Sequence, residues 1–395
     1  MTSTIPTPST SSTGSVIDRV ETFLVAPRWL FVRIETSDGL VGWGEATCEG
    51  RSETVRTAVE QLAELIVGGD PERIEDHWAV MTKGSFYRGG PILGSAVSGI
   101  DQALWDIKGK RYAAPVHQLL GGAVRDRVRV YGWVGGDEPN EVRDHIAEQV
   151  AAGLTAVKMN ASGRMSPLGT VAEVDGVVAR VAAAREVLGE HGDVAVDFHG
   201  RFSLAGARRV APLLEPFRPL FLEEPVTPEN THLIAQFVQS TTTPVSTGER
   251  LYSRQEFLPV LHAGVAVVQP DLSHAGGITE VRKIAALAET YDAALAPHCP
   301  LGPLALASSL QVAFATTNHL IQEQSIGIHY NQGADVLDYL VDTKPLEFVD
   351  GHIARLTGPG LGIEIDEAAV RAADKVGHAW RGPVWRHPDG AFAEW

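Results

Sequence analysis

The feature that most restricts the fold of this chain is a repeat. From about residue 128 onward, short apolar runs alternate with amphipathic helical stretches, and most of the runs end in a polar residue. The runs are Val130 to Trp133, Ala156 to Lys158, Val194 to Asp197, Leu220 to Glu223, Val245 to Glu249, Val265 to Val268, Ala294 to His298 and Leu320 to Glu323. Between them lie stretches such as Val174 to Leu188, apolar at 174, 177, 178, 181, 184 and 188, which is the period of one helical face. Eight strands alternating with helices predict an α/β fold, a parallel β/α barrel. A doubly wound sheet is the competing architecture, but no Gly-rich dinucleotide fingerprint follows the first strand.

The chain has 395 residues, more than the barrel needs. Met1 to Ser15 are almost entirely Ser, Thr, Pro and Gly, and they lack the basic start and apolar core of a signal peptide, so residues 1–15 read as a disordered tail. Val20 to Thr36 and Leu40 to Trp43 are rich in β-branched and aromatic residues, with a Ser37-Asp38-Gly39 turn between them, and predict an antiparallel hairpin or meander. The period then becomes helical at Val55, Val59, Leu62, Leu65 and Ile66, and again at Ile100, Ala103, Leu104 and Ile107. These segments define an α+β domain over residues 16–125, followed by the barrel over 126–350 and a C-terminal segment over 351–395.

Composition removes several functional classes. Lys and Arg number 33 against 49 Asp and Glu, and the resulting charge of −16 argues against a nucleic-acid partner, which requires a basic surface. No run of about 18 apolar residues is present, so no membrane span is expected. Cys48 and Cys299 cannot build a disulfide framework, which fits the reducing cytoplasm.

The polar strand ends carry the chemistry. Asp197, Glu223, Glu249, Asp271, His298 and Glu323 follow one another at intervals of 22 to 27 residues, each about one β/α unit. In a closed barrel these ends converge on one mouth. Three successive strands ending in Asp197, Glu223 and Glu249 bring together carboxylates that could not all stay ionised unaided. A hard divalent cation resolves the repulsion, and Mg²⁺, one per chain, is the expected ion. His199 lies two residues after Asp197, on the same face of an extended strand. His298 ends the seventh strand across the mouth, where imidazole is suited to proton transfer. Asp271, ending the sixth strand, is placed to accept a hydrogen bond from His298.

Taken together, Arg88-Gly89-Gly90-Pro91, Ile100 to Lys110, Asp197-Phe198-His199-Gly200-Arg201, Glu223-Glu224-Pro225-Val226, Gly248-Glu249-Arg250, Gln269-Pro270-Asp271, Ala296 to Pro303 and Gln322 to Ser325 resemble the enolase superfamily, and within it the acid-sugar dehydratases of the galactonate-like group. The resemblance covers about residues 17–395. It implies a modified (β/α)7β barrel under an α+β capping domain, with Asp197, Glu223 and Glu249 as Mg²⁺ ligands. It further implies His298 with Asp271 as the base that removes the proton α to a carboxylate, His199 as the acid that protonates the departing 3-hydroxyl, and Glu323 as a hydrogen-bond partner of the developing enediolate. A capping domain that closes over the mouth makes Arg28, Trp29, Tyr87 and Arg88 candidate substrate contacts. A C-terminal segment that returns to this domain would account for the aromatic ending Trp380 to Trp395. An acid-sugar substrate and a homo-oligomeric assembly are the expected partners.

Strand two separates reaction types. Racemases and cycloisomerases of this superfamily carry Lys-x-Lys there, whereas this chain has Lys158-Met159-Asn160, and Asn160 cannot accept a proton at neutral pH. Elimination needs one acid and one base, and Lys158 is left to pair with the carboxylates or the substrate, with Asn160 a further substrate contact. A zinc hydrolase would want His-x-His in the first strand, where Val130 to Trp133 has none. A binding protein would not need proton-transfer groups. Fuconate, gluconate and arabinonate remain alternative substrates, because loop geometry reads the distal carbons.

Overall fold

β-Branched and aromatic residues at alternate positions pair as an antiparallel meander of β1 (Ile17–Val25), β2 (Trp29–Thr36) and β3 (Val41–Glu45) in the computed structural model, which describes residues 14–328 and 330–395. The turn at residues 37–39 places Gly39 at φ 85°, a conformation glycine adopts without steric cost. The tail expected over residues 1–15 lies outside the described residues up to position 13. Ser15 is already buried, and its hydroxyl donates to Asp38 at 2.6 Å.

Helices α1 (Ser52–Ala63), α2 (Ile74–Lys83) and α3 (Gly90–Arg111) cover the meander. The helical period that runs through Leu65 and Ile66 in the sequence stops at Ala63 in the structure. Helix α3 is buried along most of its length because β3 lies on one side of it and the barrel on the other. Gly42 and Gly44 permit the close packing, since a Cβ at either position would stand 2.1 Å from the carbonyl oxygen of Ala103 or Gly99 respectively. A short α4 (Val116–Leu119) leads out of the domain.

The barrel alternates β4 (Arg127–Val134), α5 (Pro139–Ala151), β5 (Ala156–Asn160), α6 (Val171–Leu188), β6 (Asp193–Asp197), α7 (Leu204–Leu214), β7 (Leu222–Glu223), α8 (Ile234–Val238), β8 (Val245–Thr247), α9 (Arg254–His262), β9 (Val267–Val268), α10 (Gly277–Glu289), β10 (Ala294–Leu295), α11 (Pro303–Ala315) and β11 (Gln322–Gln324). Neighbouring strands from β4 to β10 are parallel, β11 pairs in parallel with β4, and a bridge from Leu295 to His319 completes the ring. Each of the first seven strands is followed by a helix and the eighth is not, which is the (β/α)7β arrangement.

Alternation along the strands builds both the floor and the mouth. Ala156, Ala195, Phe221 and Ile321 pack with Tyr131, Val267 and Ala296 into one apolar cluster inside the barrel. Two residues further along the same strands stand Lys158, Asp197, Glu223 and Glu323, on the same inward face but one layer higher.

After the barrel, a hairpin of β12 (Phe348–Val349) and β13 (His352–Ala354) adds to β4 in antiparallel fashion, so this part of the C-terminal segment stays on the barrel. Helix α12 (Glu367–Asp374) then packs on β1, where Asp374 accepts from the Leu24 amide at 2.7 Å and Arg371 pairs with Glu21 at 3.2 Å. The last hairpin, β14 (Trp385–Arg386) and β15 (Phe392–Ala393), lies beside the barrel mouth. Among the described residues, no helix is long and apolar enough to cross a membrane.

The α3 seam yields a stability prediction. Gly44→Ala should lower the thermal unfolding midpoint through overpacking that costs roughly 1–3 kcal/mol, read by calorimetry. An unchanged midpoint would show that β3 and α3 can part freely.

Candidate active site

The mouth begins with three carboxylates. Oxygens of Asp197, Glu223 and Glu249 lie within 4.8 Å of one another, one from each of three consecutive barrel units. Burial, with the charge of Glu223, pushes the Asp197 carboxyl well up. Burial likewise raises Glu223 to about 7, with Glu249 and Glu323 adding to the shift and Lys158 opposing it. Glu249 is held low, despite its burial, by His298, Arg250 and His199. An all-oxygen donor set, desolvated and self-repelling, fits a hard divalent cation.

Lys158 stands at the centre of this charge. Its Nζ lies 2.7 Å from Glu223 and 2.9 Å from Glu323, with nothing of the side chain open to solvent beyond 2%. Burial works against the ammonium, but the two glutamates outweigh it and hold its pKa well above the usual lysine value. Glu323 also accepts from the Cys299 amide at 2.9 Å, and Glu223 accepts from Gln269 at 2.7 Å. Asn160, next along β5, accepts from the Trp133 indole at 3.4 Å.

The two histidines occupy opposite sides of the ring, since β6 and β10 are the third and seventh of eight strands. His298 Nδ1 donates to Asp271 at 2.8 Å, while Nε2 lies 3.5 Å from Glu249. Burial disfavours the imidazolium, yet Glu249 and the Asp271 hydrogen bond raise its pKa to about 10. The protonated state thus depends chiefly on Glu249, one of the carboxylates a cation would neutralise. The second oxygen of Asp271 accepts from the Ser273 amide at 2.6 Å, and His274, bonded to Ser95 at 3.1 Å, stands 3.7 Å from Asp271.

His199 reaches the mouth by a route that strand periodicity does not describe. β6 ends at Asp197, and His199 adopts φ 55°, in the left-handed region, with its amide donating to Asp197 at 2.6 Å. A strained turn, not an extended strand, therefore presents His199, a conformation that concentrates at functional sites. Burial lowers its pKa to about 3.

Asp197, Glu249, Lys158, Asn160, His199, His298 and Glu323 all line one cavity of about 790 Å³. The structure does not bring Arg28, Trp29, Tyr87 or Arg88 to it. Arg28 is fully buried behind the wall, donating to Glu49 at 2.6 Å, Asn331 at 2.6 Å and the Pro300 carbonyl at 2.5 Å, with Tyr330 stacked 4.5 Å away. Trp29 packs against Phe31 and Tyr339 in the domain core. Tyr87 is 82% exposed beside Phe86 and does not line the cavity, and Arg88 is exposed on the same loop. Instead, the capping domain contributes Cys48, Glu49 and Pro91. Arg201 and Arg250, which the sequence reading passed over, also line the cavity, and each lies within four residues of a cluster carboxylate. From the chain's end come Trp380, Trp385 and Trp395, whose main-chain oxygen accepts from His199 Nδ1 at 3.0 Å.

Residues 141–369 match the family described as Enolase C-terminal domain-like, and residues 20–121 match the mandelate racemase / muconate lactonizing enzyme N-terminal domain. The chain belongs to the mandelate racemase / muconate lactonizing enzyme family of the enolase superfamily, whose members use a divalent metal. Among solved structures, a mandelate racemase/muconate lactonizing enzyme from Sulfitobacter sp. superposes with a TM-score of 0.88 at 31% identity, covering 96% of this chain and 100% of that one. One from Jannaschia sp. CCS1 gives 0.85 at 31% identity, covering 93% and 100%. D-galactonate dehydratase of Xanthomonas oryzae pv. oryzae is 52% identical over 380 residues, spanning 96% of this chain and all of that protein. D-galactonate dehydratase of Pectobacterium atrosepticum is 51% identical over the same span.

The carboxylate cluster predicts cation-dependent stability. Millimolar Mg²⁺ or Mn²⁺ should raise the melting temperature, and excess chelator should reverse the gain. Because Asp197 and Glu223 bind protons more readily than ordinary carboxyls, a cation must displace those protons, so the gain should shrink as pH falls from 8 to 6. A midpoint indifferent to divalent cations at pH 8 would speak against a metal at this position.

Proposed function

We propose that the protein dehydrates D-galactonate to 2-dehydro-3-deoxy-D-galactonate, with Asp197, Glu223 and Glu249 holding one Mg²⁺. The observation that carries this reading is the pair of histidines on opposite barrel strands with the carboxylate cluster between them. The 51–52% identity to D-galactonate dehydratases over nearly the whole chain supports the choice of substrate. When bound, the cation supplies Lewis-acid stabilisation to the negative charge that builds on the substrate carboxylate.

The residues divide the remaining work. Asp271 accepts from His298 Nδ1 and leaves Nε2 to take the proton from C2. The electron pair of that C–H bond moves into the carboxylate as an enediolate, which Lys158 meets with charge and Glu323, once it carries a proton, with a donated hydrogen bond. The pair then returns to form the C2–C3 double bond as the 3-hydroxyl leaves as water, protonated by Nε2 of His199 in its imidazolium form, which burial opposes and the charge of Glu249 favours. The enol product tautomerises to the 2-keto acid.

Racemisation requires a second base on strand two. Asn160 offers none, and Lys158 is engaged by both Glu223 and Glu323. Both cysteines are free thiols, which supports a cytoplasmic location, and the exposed Phe86 and Tyr87 pair supports burial against a second copy in a homo-oligomer.

Glu223→Gln should abolish turnover and weaken cation binding with the barrel still folded, and full activity of the unmodified enzyme in excess chelator would contradict the metal assignment. The two histidines can be told apart by proton NMR of the C2 signal in D₂O. His298→Asn should lose both dehydration and C2 exchange, a loss of about 10²- to 10⁴-fold or more. His199→Asn should lose product while deuterium still enters recovered galactonate. The opposite pattern would mean that acid and base are reversed.

A further inference from the structure

The final residues of the chain cross from the capping domain to the barrel mouth. At the near end, His378 Nε2 lies 3.2 Å from the Trp29 carbonyl in the cap. At the far end, Arg164 donates to the Arg386 carbonyl at 2.8 Å, and the Arg201 guanidinium lies 4.8 Å from the centre of the Trp385 ring. Trp380 and Trp395 pack together at 6.2 Å, and Ala393, on β15 of the hairpin, is only 2% exposed. Trp380, Trp385 and Trp395 all face the cavity that holds the carboxylates. The floor is charged and this side is aromatic.

Trp395 makes two contacts with His199. Its indole meets the imidazole edge-on, with ring centres 5.8 Å apart and planes at 75°. Its main-chain oxygen lies 3.0 Å from Nδ1, the one hydrogen bond the imidazole makes among the described residues. A main-chain oxygen, carbonyl or carboxylate, can only accept, so Nδ1 must carry the hydrogen and Nε2 becomes the nitrogen that can exchange a proton with a ligand. Among the described residues, no barrel side chain orients this ring in the way Asp271 orients His298.

We propose that residues 378–395 form a strap completing the substrate cavity, in which Trp395 positions His199 through its main-chain oxygen and limits the length of substrate through its indole. The inference rests on His199 being the group that protonates the leaving hydroxyl. Aromatic faces suit the C–H surfaces of a polyol chain, whereas the carboxylate end of the substrate belongs over the charged floor. Trp395 is a positioning residue, and its contribution falls on the elimination step rather than on proton removal from C2.

The test compares the full-length enzyme with a deletion of residues 384–395, with Trp395→Ala, which keeps a main-chain oxygen, and with Trp395→Phe. The deletion should lose product formation by about 10²-fold or more, the contribution of a positioned acid, while C2 exchange in D₂O continues. Trp395→Ala should raise KM for galactonate by about tenfold with a smaller change in kcat, and should improve seven-carbon acid sugars relative to galactonate, with Trp395→Phe restoring most of both. Should the deletion not fold, hydrogen exchange on the intact protein carries the positioning half, since amides of residues 385–393 should become protected when galactonate and Mg²⁺ are added. Equal loss of product and C2 exchange in the folded deletion overturns the positioning role. Unchanged KM and substrate range in Trp395→Ala overturn the wall, and absence of ligand-induced protection overturns the strap. Failure of the underlying reaction is seen separately, in unmodified enzyme that forms no keto-deoxy product from any acid sugar.

Discussion

Repulsion among buried carboxylates is the constraint on which the rest of this site depends. Asp197, Glu223, Asp271 and Glu323 are each at most 2% exposed, and Glu249 lies beside them. Two like charges about 4 Å apart repel by about 4 kcal/mol even at an effective dielectric of 20. The surrounding cations are placed accordingly. Lys158 spans Glu223 and Glu323, Arg250 lies 3.3 Å from Glu249, and His298 lies between Glu249 and Asp271. Each cation is itself desolvated, so removing any partner leaves a buried charge uncompensated, at a cost of about 3–5 kcal/mol. The site is a balance of large opposing terms in which one divalent charge shifts several protonation equilibria together.

A second set of buried carboxylates holds the cap over this balance. Glu45 on β3 accepts from the amides of Gly302 and Ala305 at the start of α11, at 2.9 and 3.0 Å. Asp101 on α3 accepts from the Thr279 amide at the start of α10, at 3.0 Å. Burial raises both carboxyls to about 7, and the positive ends of the two helices are what make the sites tolerable to their charge. Gln102 and Trp105 extend the seam to the Leu272 carbonyl and the Thr279 hydroxyl, both at 2.9 Å. The stretch Ile100 to Lys110 marks the family in the sequence, yet its Asp101, Gln102 and Trp105 side chains clamp the cap to the barrel and do not line the cavity.

This contrast explains which features were legible before folding. Barrel strands and their terminal charges follow local rules, since alternation places Ala195 and Asp197, or Phe221 and Glu223, on one inward face, and the helix between strands sets the interval. The His298 and Asp271 pair could be anticipated because both end adjacent strands. His199 was found for an incomplete reason, because a left-handed turn rather than an extended strand presents it. The cap residues were not legible. Arg28 and Trp29 stand where β2 begins, but it is Glu49, in the loop after β3, that lines the cavity, and Arg28 donates to it from behind. Nothing in local patterning distinguishes a residue that touches substrate from one that supports it. The aromatic ending was equally ambiguous: α12 does return to the cap, but the tryptophans beyond it continue to the mouth.

The two histidines therefore stand on supports of different stiffness. His298 is held by Asp271, whose other oxygen is itself tied to the Ser273 amide, and the three residues come from two consecutive units of the barrel. His199 is held by a strained turn on one side and by a main-chain oxygen nearly two hundred residues away in sequence on the other. In the proposed reaction this asymmetry has a chemical logic. The proton on C2 stands next to the carboxylate, the feature all acid sugars share, so its base can be rigid. The departing hydroxyl lies one carbon further out, where substrates begin to differ in configuration. An acid whose orientation depends on a separate segment can be matched to one substrate by altering that segment, without disturbing the charge balance on which metal binding and proton removal depend.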